Sequence, residues 1–475
     1  MWSLIQPAQD FIKSTLAQQF KLANGKSACF DVASNNHRGR ARGKCLQPHI
    51  NFHKTSIVND AQGPVLALAL HKHEISSTIY ELRPKAYRSG GNIAIAPNAA
   101  RVLDHIGVYG RLRTQGFNYE EISFENGSGK VLGKFLNGSQ KHYNFSALRI
   151  KRSIVHDELL AACEQRGIPV HYEKKFKSIV SETDENATAL FEDGEQVTAG
   201  FIIGCDGIHS RVRNYIQVVR PEFSGLMGIM GSVMEEELPS MYATSRPPLP
   251  SMMFGANGSF AIMPSSFDGK EIGYFATIEA QDRSQDEWSR LSQNKAELHK
   301  WLTDRFNTSD LHWPALVQEL CEKTPIDSLT SWPFFSVPEL KDWKSTAGRV
   351  IVIGDAAHAI PPTGGQGAAM AFEDAETLSY VLGRLRDLHL AHAGGNHELF
   401  AGDILNKWQR HRQDRIVKVL DFTSKNGTLR KSSPHVYEQA AKEWIIWAAF
   451  KFMGAEAGAK WLYTYNAENV LGVIV

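Results

Sequence analysis

The stretch 350–374, VIVIGDAAHAIPPTGGQGAAMAFED, constrains the fold of this chain more than any other. Its opening run Val350–Ile353 is β-branched, which is typical of a buried parallel strand. Asp355 follows at the carboxyl end of that strand, and a loop rich in proline and glycine opens the predicted helix Ala368–Leu378. This order places a hydroxyl acceptor beside a helix N-terminus with free N–H groups, and glycines let the backbone approach a ligand closely. We therefore predict a site for a flat or anionic ligand here, rather than an ordinary strand–helix connection.

This turn resembles the flavin motif of the FAD-dependent aromatic hydroxylases, the family of the p-hydroxybenzoate and salicylate hydroxylases. In that family the aspartate that matches Asp355 holds the ribityl chain of the flavin. The residues that match Gly365, Gly367 and Ala368 lie where a helix N-terminus faces the pyrimidine end of the isoalloxazine ring. The resemblance implies FAD as cofactor, NADH or NADPH as co-substrate, molecular oxygen as oxidant and a small aromatic molecule as substrate.

A second motif of that family matches residues after the first predicted helix. Glu81 ends the short predicted strand Ser77–Glu81, and an acid at such a strand end accepts hydrogen bonds from ribose hydroxyls in dinucleotide-binding folds. A strand-end glutamate alone is a weak signal. Its context, YELRP followed by two glycines and APNAARVLDHIGV, resembles the hydroxylases. In them the following loop borders the flavin, and Ala94 is the matching position.

Arg152 stands in ALRIKRSIVHDELL, just before a predicted helix over Ile154–Gln165. It matches an arginine of the hydroxylase family at this position. A guanidinium is a planar fork of donors that suits ribityl or phosphate oxygens. The alternative is an exposed arginine without a functional partner.

The ten residues GCDGIHSRVR, Gly204–Arg213, resemble a further signature of the hydroxylases. There the Asp-Gly turn approaches the FAD pyrophosphate and the path of the nicotinamide cofactor. Asp206 follows the predicted strand Phe201–Ile203 and can accept the N–H groups that start the next turn. A purely structural role for Asp206 therefore remains open, and His209 is expected to belong to the turn.

The start of the chain departs from the family pattern, which opens with a strand and Gly-x-Gly-x-x-Gly around the FAD diphosphate. Gly63 fits the third glycine, but Val58 and Asp60 stand at the first two. We also expect no proper strand in NFHKTSIV, the segment before them. Two explanations stay open: an altered or incorrectly assembled N-terminus, which the abrupt change at Gly63 favours, or a diverged protein that binds FAD poorly.

Composition places the chain among globular proteins, with 43% hydrophobic and 22% charged residues and a formal net charge of +1. The charge gives no argument for a nucleic-acid partner. No apolar run reaches the roughly 18 residues of a spanning helix. Five dispersed cysteines are typical of reduced thiols, so we expect a cytoplasmic protein. Mitochondrial targeting, or association of the aromatic segment 444–463 with a membrane surface, is less favoured than a C-terminal helix packed on its own domain.

The predicted fold class is α/β: an FAD-binding Rossmann-like lobe with an inserted β-rich substrate lobe and C-terminal helices. Residues 1–55 are polar and atypical, and we expect them to be disordered. The FAD-binding lobe is predicted to comprise residues 56–224 and 340–385. The substrate lobe should span 225–339, with the helical region over 386–475.

The implied activity is NAD(P)H-dependent insertion of one oxygen atom into an aromatic or polycyclic molecule, in secondary metabolism. The substrate is expected to contact an adaptable apolar lining, namely Met252, Met253, Phe254, Phe260 and Met263. We assign no catalytic base, because Met230 stands where some relatives have an arginine. Two alternatives are a non-catalytic protein that has lost FAD and a nicotinamide-only oxidoreductase. The second requires an intact N-terminal phosphate loop, which is absent. Substrate identity and oligomeric state are not set by the sequence.

Overall fold

The computed structural model of this chain describes residues 55–59, 62–88, 90–244, 246–307, 313–391, 397–433 and 435–474. The predicted disorder of residues 1–55 falls outside these ranges, apart from Thr55, which begins the first strand. Asp60 and the side chain of Val58 also lie outside the described residues.

Strands and helices are mixed along the described part of the chain and are numbered separately in chain order. The strands are β1 (Thr55–Asn59), β2 (Ser77–Glu81), β3 (Asn92–Ile95), β4 (Phe117–Tyr119), β5 (Glu121–Asn126), β6 (Val131–Leu136), β7 (Ala147–Lys151), β8 (Val170–His171), β9 (Phe176–Glu182), β10 (Ala187–Phe191), β11 (Gln196–Ala199), β12 (Phe201–Gly204), β13 (Glu222–Met234), β14 (Ser251–Gly255), β15 (Gly258–Pro264), β16 (Glu271–Glu279), β17 (Thr330–Ser336) and β18 (Val350–Val352). The helices are α1 (Gly63–Lys72), α2 (Pro97–His105), α3 (Tyr109–Leu112), α4 (Gln140–Tyr143), α5 (Arg152–Gln165), α6 (Arg213–Ile216), α7 (Gln285–Gln293), α8 (Lys295–Phe306), α9 (Ala315–Lys323), α10 (Asp355–His358), α11 (Gly367–Ala391), α12 (His397–Leu429), α13 (Val436–Met453), α14 (Lys460–Tyr463) and α15 (Leu471–Ile474).

A parallel sheet of five strands organises the first core, in the order β18-β12-β1-β2-β8. The chain adds β2 on one side of β1 and β12 on the other, so the strand order reverses between β1 and β12. In open α/β sheets ligands bind outside the carboxyl ends of the strands at such a point. The carboxyl ends of β1, β2, β12 and β18 therefore define the edge where a site is expected, which we call the carboxyl edge.

The expectation that no proper strand precedes Gly63 is wrong. Thr55–Asn59 forms β1, the middle strand of the sheet, with Thr55 paired to Ser77 on one side and to Phe201 on the other. Among the side chains of this strand that the structure describes, Thr55 and Ile57 are buried. Hydrogen bonding to two neighbouring strands stabilises it, and that pairing is not visible in a weak local pattern.

A second sheet has seven strands in the order β17-β13-β16-β15-β14-β5-β6 and is antiparallel except where β14 meets β5. One face of it packs on α7, α8 and α9 to form a second hydrophobic core. The predicted α/β class, with a Rossmann-like sheet, a β-rich sheet and C-terminal helices, is confirmed. Strands β5 and β6 come from the range 56–224, so the second sheet draws on both predicted lobes, whose boundaries stay predictions.

The C-terminal helix α13 is half packed and half exposed. Ile446 is buried, and the Phe450 ring covers Gly133 of β6, while Trp444, Trp447 and Phe452 are exposed. No helix in the described ranges is long and apolar enough to cross a membrane. Association of the exposed aromatic side chains with a membrane surface stays a prediction.

We expect the stability of the fold to depend on pH through Glu125 of the second sheet. It lies opposite Met253, a residue of the second core, and only 1% of it is exposed. Burial raises the pKa of Glu125 from 4.5 to about 7. The folded protein therefore binds this proton more tightly than the unfolded chain does, so its contribution is present below the ordinary pKa and is lost as the pH rises through about 7, by about 3 kcal/mol at most.

Urea unfolding of the wild type and Glu125→Gln at about pH 5 and about pH 8 measures this effect. The wild type is expected to lose stability between the two pH values, and the glutamine variant should lose less because its amide does not ionise. An identical pH dependence for both proteins would show that Glu125 titrates normally.

Candidate functional site

Two acidic side chains lie at the carboxyl edge, one on each side of β1. Glu81 ends β2, and its Oε1 accepts the backbone N–H of Arg83 at 2.8 Å, which orders the turn after the strand. Asp355 begins α10 shortly after β18 and is partly exposed. The structure thus brings both predicted hydroxyl acceptors to the edge where the strand order reverses. Their roles toward a ribose and a ribityl chain stay predictions.

Gly354 joins the end of β18 to the head of α1. Its φ is +59°, and a Cβ atom on it would lie 1.8 Å from Oε1 of Gln62. Gln62 immediately precedes α1, whose N-terminus has no side-chain cap. The Nε2 of Gln62 is buried and has no hydrogen-bond partner among the described residues, so a ligand oxygen at the helix head would satisfy it. The sequence analysis missed Gln62, for which the one available signal was its place before Gly63.

Asp206 orders the turn that follows β12. Its Oδ1 accepts the Ser210 hydroxyl at 2.5 Å, and its Oδ2 accepts the backbone N–H groups of Arg211 at 2.7 Å and Val212 at 3.2 Å. Burial raises the pKa of Asp206, and these hydrogen bonds oppose the shift. The carboxylate therefore has a structural task in its own turn, and its contact with a cofactor stays a prediction.

Arg213 ties this turn to the helix that begins with Asp355. It is 2% exposed, and its Nη1 donates to the carbonyl of Ala356 at 2.9 Å while its Nη2 donates to that of Ile208 at 2.8 Å. A guanidinium that bridges two backbone carbonyls holds the two segments in one position. Asp206 and Asp355 thus belong to one rigid assembly, which the motif alone did not reveal.

Arg152 begins α5 and has an exposed guanidinium. Its aliphatic stem lies on Gly90, where an added Cβ would be 3.2 Å from Cδ of Arg152 and φ is +108°. The guanidinium carbon lies 5.8 Å from the centre of the Trp332 ring. It makes no hydrogen bond or ion pair with the described residues, so its donor fork is available to a ligand.

The loop that carries Gly91 leads into β3 and borders the second sheet. Ala94 lies on β3 opposite Arg149 of β7 and is partly exposed. A Cβ added to Gly91 would lie 3.8 Å from Sδ of Met230, on β13 of the second sheet. The segment around Ala94 thus lies between the carboxyl edge and the face of the second sheet that carries Met230.

The glycine loop before α11 borders open space. A short 3-10 turn, Pro362–Gly364, ends at Gly365, which has φ +63°. A Cβ added to Gly365 or to Gly367 would meet no other atom within 4 Å. Gly367 and Ala368 are the first residues of a helix of 25 residues, whose N-terminal N–H groups and dipole favour negative charge. This geometry suits the approach of a flat ring to the backbone.

Beneath the loop, a buried carboxylate holds Gly354 in place. Asp374 is 0% exposed, and its Oδ2 accepts the N–H of Gly354 at 2.9 Å and lies 2.5 Å from Nε2 of His358. Its Oδ1 accepts Nε of Arg412 at 2.7 Å. Burial raises the pKa of Asp374, but His358 and Arg412 outweigh burial and lower it. The end of β18 is therefore fixed by an ion pair with the C-terminal helix α12.

A second buried acid extends this network. Oε2 of Glu373 accepts Nη1 of Arg412 at 2.9 Å, and its Oε1 accepts Nη2 of Arg415 at 2.7 Å and Nδ2 of Asn98 at 2.8 Å. Burial opposes ionisation of Glu373, but the two guanidiniums lower its pKa. The sequence analysis missed these residues. The available signals were two adjacent acids inside an apolar helix and two arginines three residues apart.

The carboxyl edge fits FAD. The head of α1 and the Gln62 amide offer donors for a diphosphate, and Glu81 and Asp355 offer acceptors for ribose and ribityl hydroxyls. The open space at Gly365 and Gly367 admits a flat ring against the backbone.

The predicted substrate lining is wrong for Met253 and Phe260. Both are 0% exposed and belong to the second core, where Phe260 stacks on Tyr274 with ring centres 5.1 Å apart. Side chains alternate along a strand, so Met252, Phe254 and Met263 point to the opposite face. The prediction is wrong for Phe254 as well, because Phe254 is 3% exposed and packs in a separate buried cluster with Leu132 and Ile446. The opposite face carries Met230 and borders the loop of Gly91. We call it the site face of the second sheet.

Comparison with known proteins agrees with this geometry. The sequence profile described as "FAD binding domain" matches residues 61–386. A 3-amino-4-hydroxybenzoate 2-monooxygenase of Streptomyces platensis is 29% identical over 362 residues, which covers 75% of this chain and 83% of the relative. The salicylate hydroxylase of Pseudomonas putida is 28% identical over 353 residues, with coverage of 68% and 75%.

Solved structures share the fold. A salicylate hydroxylase in a substrate complex has a TM-score of 0.69 at 20% identity and covers 90% of this chain and 98% of its own. HpxO of Klebsiella pneumoniae, complexed with FAD and uric acid, has a TM-score of 0.70 at 18% identity, with coverage of 87% and 98%.

Proposed function

The chain belongs to the FAD binding domain family and is an FAD-dependent aromatic monooxygenase, and from this premise we propose that it oxidises NADH or NADPH to hydroxylate a small aromatic or polycyclic substrate with molecular oxygen. A place in secondary metabolism is part of the proposal. The relatives' names support an aromatic substrate, because 3-amino-4-hydroxybenzoate and salicylate are hydroxylated benzoates.

The observation that carries the proposal is the contact between the site face and the loop that leads from the carboxyl end of β2 to β3. Sδ of Met230 lies 3.8 Å from the Cβ position of Gly91, and Trp332 lies beneath the Arg152 guanidinium. A substrate on the site face would therefore lie beside a ring held at the glycine loop. Apolar side chains on this face exclude water from the reacting centre.

When bound, FAD supplies the exchange of electrons with the nicotinamide and with oxygen. The chain supplies the environment. The N-terminal N–H groups of α11 would stabilise negative charge at the pyrimidine end of the ring, and Pro361 and Pro362 would stiffen the loop. Asp355 and Arg152 would hold the ribityl and phosphate oxygens.

The test begins with the absorption spectrum of the purified chain after FAD addition and gel filtration, followed by NADH and NADPH oxidation with a panel of hydroxybenzoates. A bound flavin and substrate-dependent oxidation that yields hydroxylated product are expected. Arg152→Ala should weaken FAD binding about tenfold or more, because a charge-assisted pair is lost. Arg113→Ala, an exposed arginine elsewhere, is the matched control and should bind FAD as the wild type does.

A second candidate function, a non-catalytic protein that has lost FAD, is favoured by Val58 and Asp60 at the positions of the first two glycines. It predicts a folded, colourless protein. Restoring glycine at both positions would then recover the flavin spectrum if the carboxyl edge is otherwise intact.

A further inference from the structure

Arg430 contacts the glycine loop, and the residues that follow it in the chain reach the second sheet. It follows the last residue of α12, and its Nη2 donates to the carbonyl of Thr363 at 2.9 Å. The end of α12 packs on the same turn, since a Cβ added to Gly364 would lie 2.0 Å from Cγ2 of Thr423. Arg430 therefore sits directly against the loop that borders the proposed flavin position.

The charge of Arg430 has no acidic partner among the described residues. Its Nε is buried and donates no hydrogen bond there, and burial alone lowers the pKa of Arg430 to about 10. Arg412 and Arg415, about four to five helical turns before it, each pair with buried carboxylates. A partly buried guanidinium without an anionic partner costs stability, and an anionic ligand would offset that cost.

The residues after Arg430 contact the second sheet at a turn and at a strand end. The N–H of Ser433 donates to the carbonyl of Ala256 at the β14–β15 turn at 2.7 Å, and the Ser432 hydroxyl donates to Glu279 at the end of β16. This segment spans from the glycine loop to the second sheet. The Arg430 side chain thus contacts the glycine loop, and the two serines that follow it contact the second sheet.

We propose that Arg430 binds the anionic group, a carboxylate or phenolate, of the aromatic substrate. This inference rests on the proposed function and adds the substrate class. It also accounts for Met230, which stands on β13 where some relatives have an arginine. If Arg430 supplies the positive charge from the C-terminal segment, an arginine on β13 is not needed. The partial exposure of Arg430 leaves its donor fork accessible to a ligand.

The test is calorimetric titration of the purified protein, with FAD added, against benzoate, 4-nitrophenol and neutral benzamide at about pH 8, where 4-nitrophenol is ionised and Arg430 stays protonated. Benzoate or phenolate should bind more tightly than benzamide. Arg430→Met should lower the affinity for the anion by about tenfold or more and change the affinity for benzamide by no more than about twofold. Arg430→Lys keeps the positive charge but not the planar set of N–H donors. Its affinity for the anion should lie between those of the wild type and Arg430→Met. Lys431→Met removes a positive charge from the exposed neighbouring residue and should leave the affinities for the anions and for benzamide unchanged.

Thermal unfolding without ligand separates binding from a structural role. If Arg430 serves the ligand, Arg430→Met should be at least as stable as the wild type, because a buried, unpaired charge is removed. Lower stability with unchanged benzoate affinity would overturn the inference, as would loss of FAD from the variant, which would assign Arg430 to the cofactor. A wild type that binds benzoate but no FAD contradicts the proposed function and leaves this inference supported.

Discussion

Replacing Arg412 with methionine is expected to destabilise the fold by about 3–5 kcal/mol, because it removes the buried guanidinium that Glu373 and Asp374 share and leaves each carboxylate with one cationic partner. Arg412 is 0% exposed and donates to Asp374 at 2.7 Å and to Glu373 at 2.9 Å. Asp374 also holds the N–H of Gly354 at 2.9 Å, so the loss should reach the carboxyl edge and weaken FAD binding. Urea unfolding and flavin fluorescence titration measure the two effects.

The matched control is Arg410→Met, on the exposed side of the same helix, which should change stability by less than about 0.5 kcal/mol. If both methionine variants unfold at the same urea concentration, the buried network does not contribute as described. Retained stability with lost FAD binding would instead separate the network's role at the carboxyl edge from its role in the core.

Replacing Gly354 with alanine is expected to abolish tight FAD binding and to destabilise the fold by about 3 kcal/mol. The added Cβ would lie 1.8 Å from Oε1 of Gln62, and the backbone has φ +59° and ψ −139°, a conformation that L residues rarely adopt. The Gln62 side chain can rotate away from the added Cβ, so most of the cost comes from the backbone conformation at the end of β18, and the rotated amide would no longer face the head of α1 as before. Differential scanning calorimetry and an FAD titration measure both consequences.

Gly402→Ala is the control for this substitution. Gly402 lies in α12 with no other atom within 4 Å of an added Cβ, so alanine there should stabilise the helix by about 0.5–1 kcal/mol. Adding Gln62→Ala to Gly354→Ala removes the collision but not the backbone strain, and should restore only part of the lost stability. A Gly354→Ala protein that binds FAD like the wild type would show that the two segments are not tightly apposed.

Strands with a strong local pattern were predicted to within one residue. Ser77–Glu81 has the predicted bounds, and the strands predicted at Phe201–Ile203 and Val350–Ile353 differ from the structure by one residue, because short apolar runs between turn residues match the side-chain period of a strand. The strand Thr55–Asn59 was missed, since its stability comes from pairing on both sides and not from its own composition. Met253 and Phe260 were placed on the wrong face, because composition identifies an apolar strand without showing which side meets the helices.

By itself, the sequence determined the class of the protein and the positions of Glu81, Arg152, Asp206 and Asp355, because short motifs specify strand ends, turns and helix starts through local geometry. Only the tertiary structure decided which partners those residues meet. Gly354 with Gln62, Asp374 with Arg412, and Arg430 with Thr363 are pairs 38 to 292 residues apart in the chain. Burial, charge compensation and the choice of which sheet face packs on the helices arise only when such distant residues pack together. These properties decide which side chains remain available to a ligand.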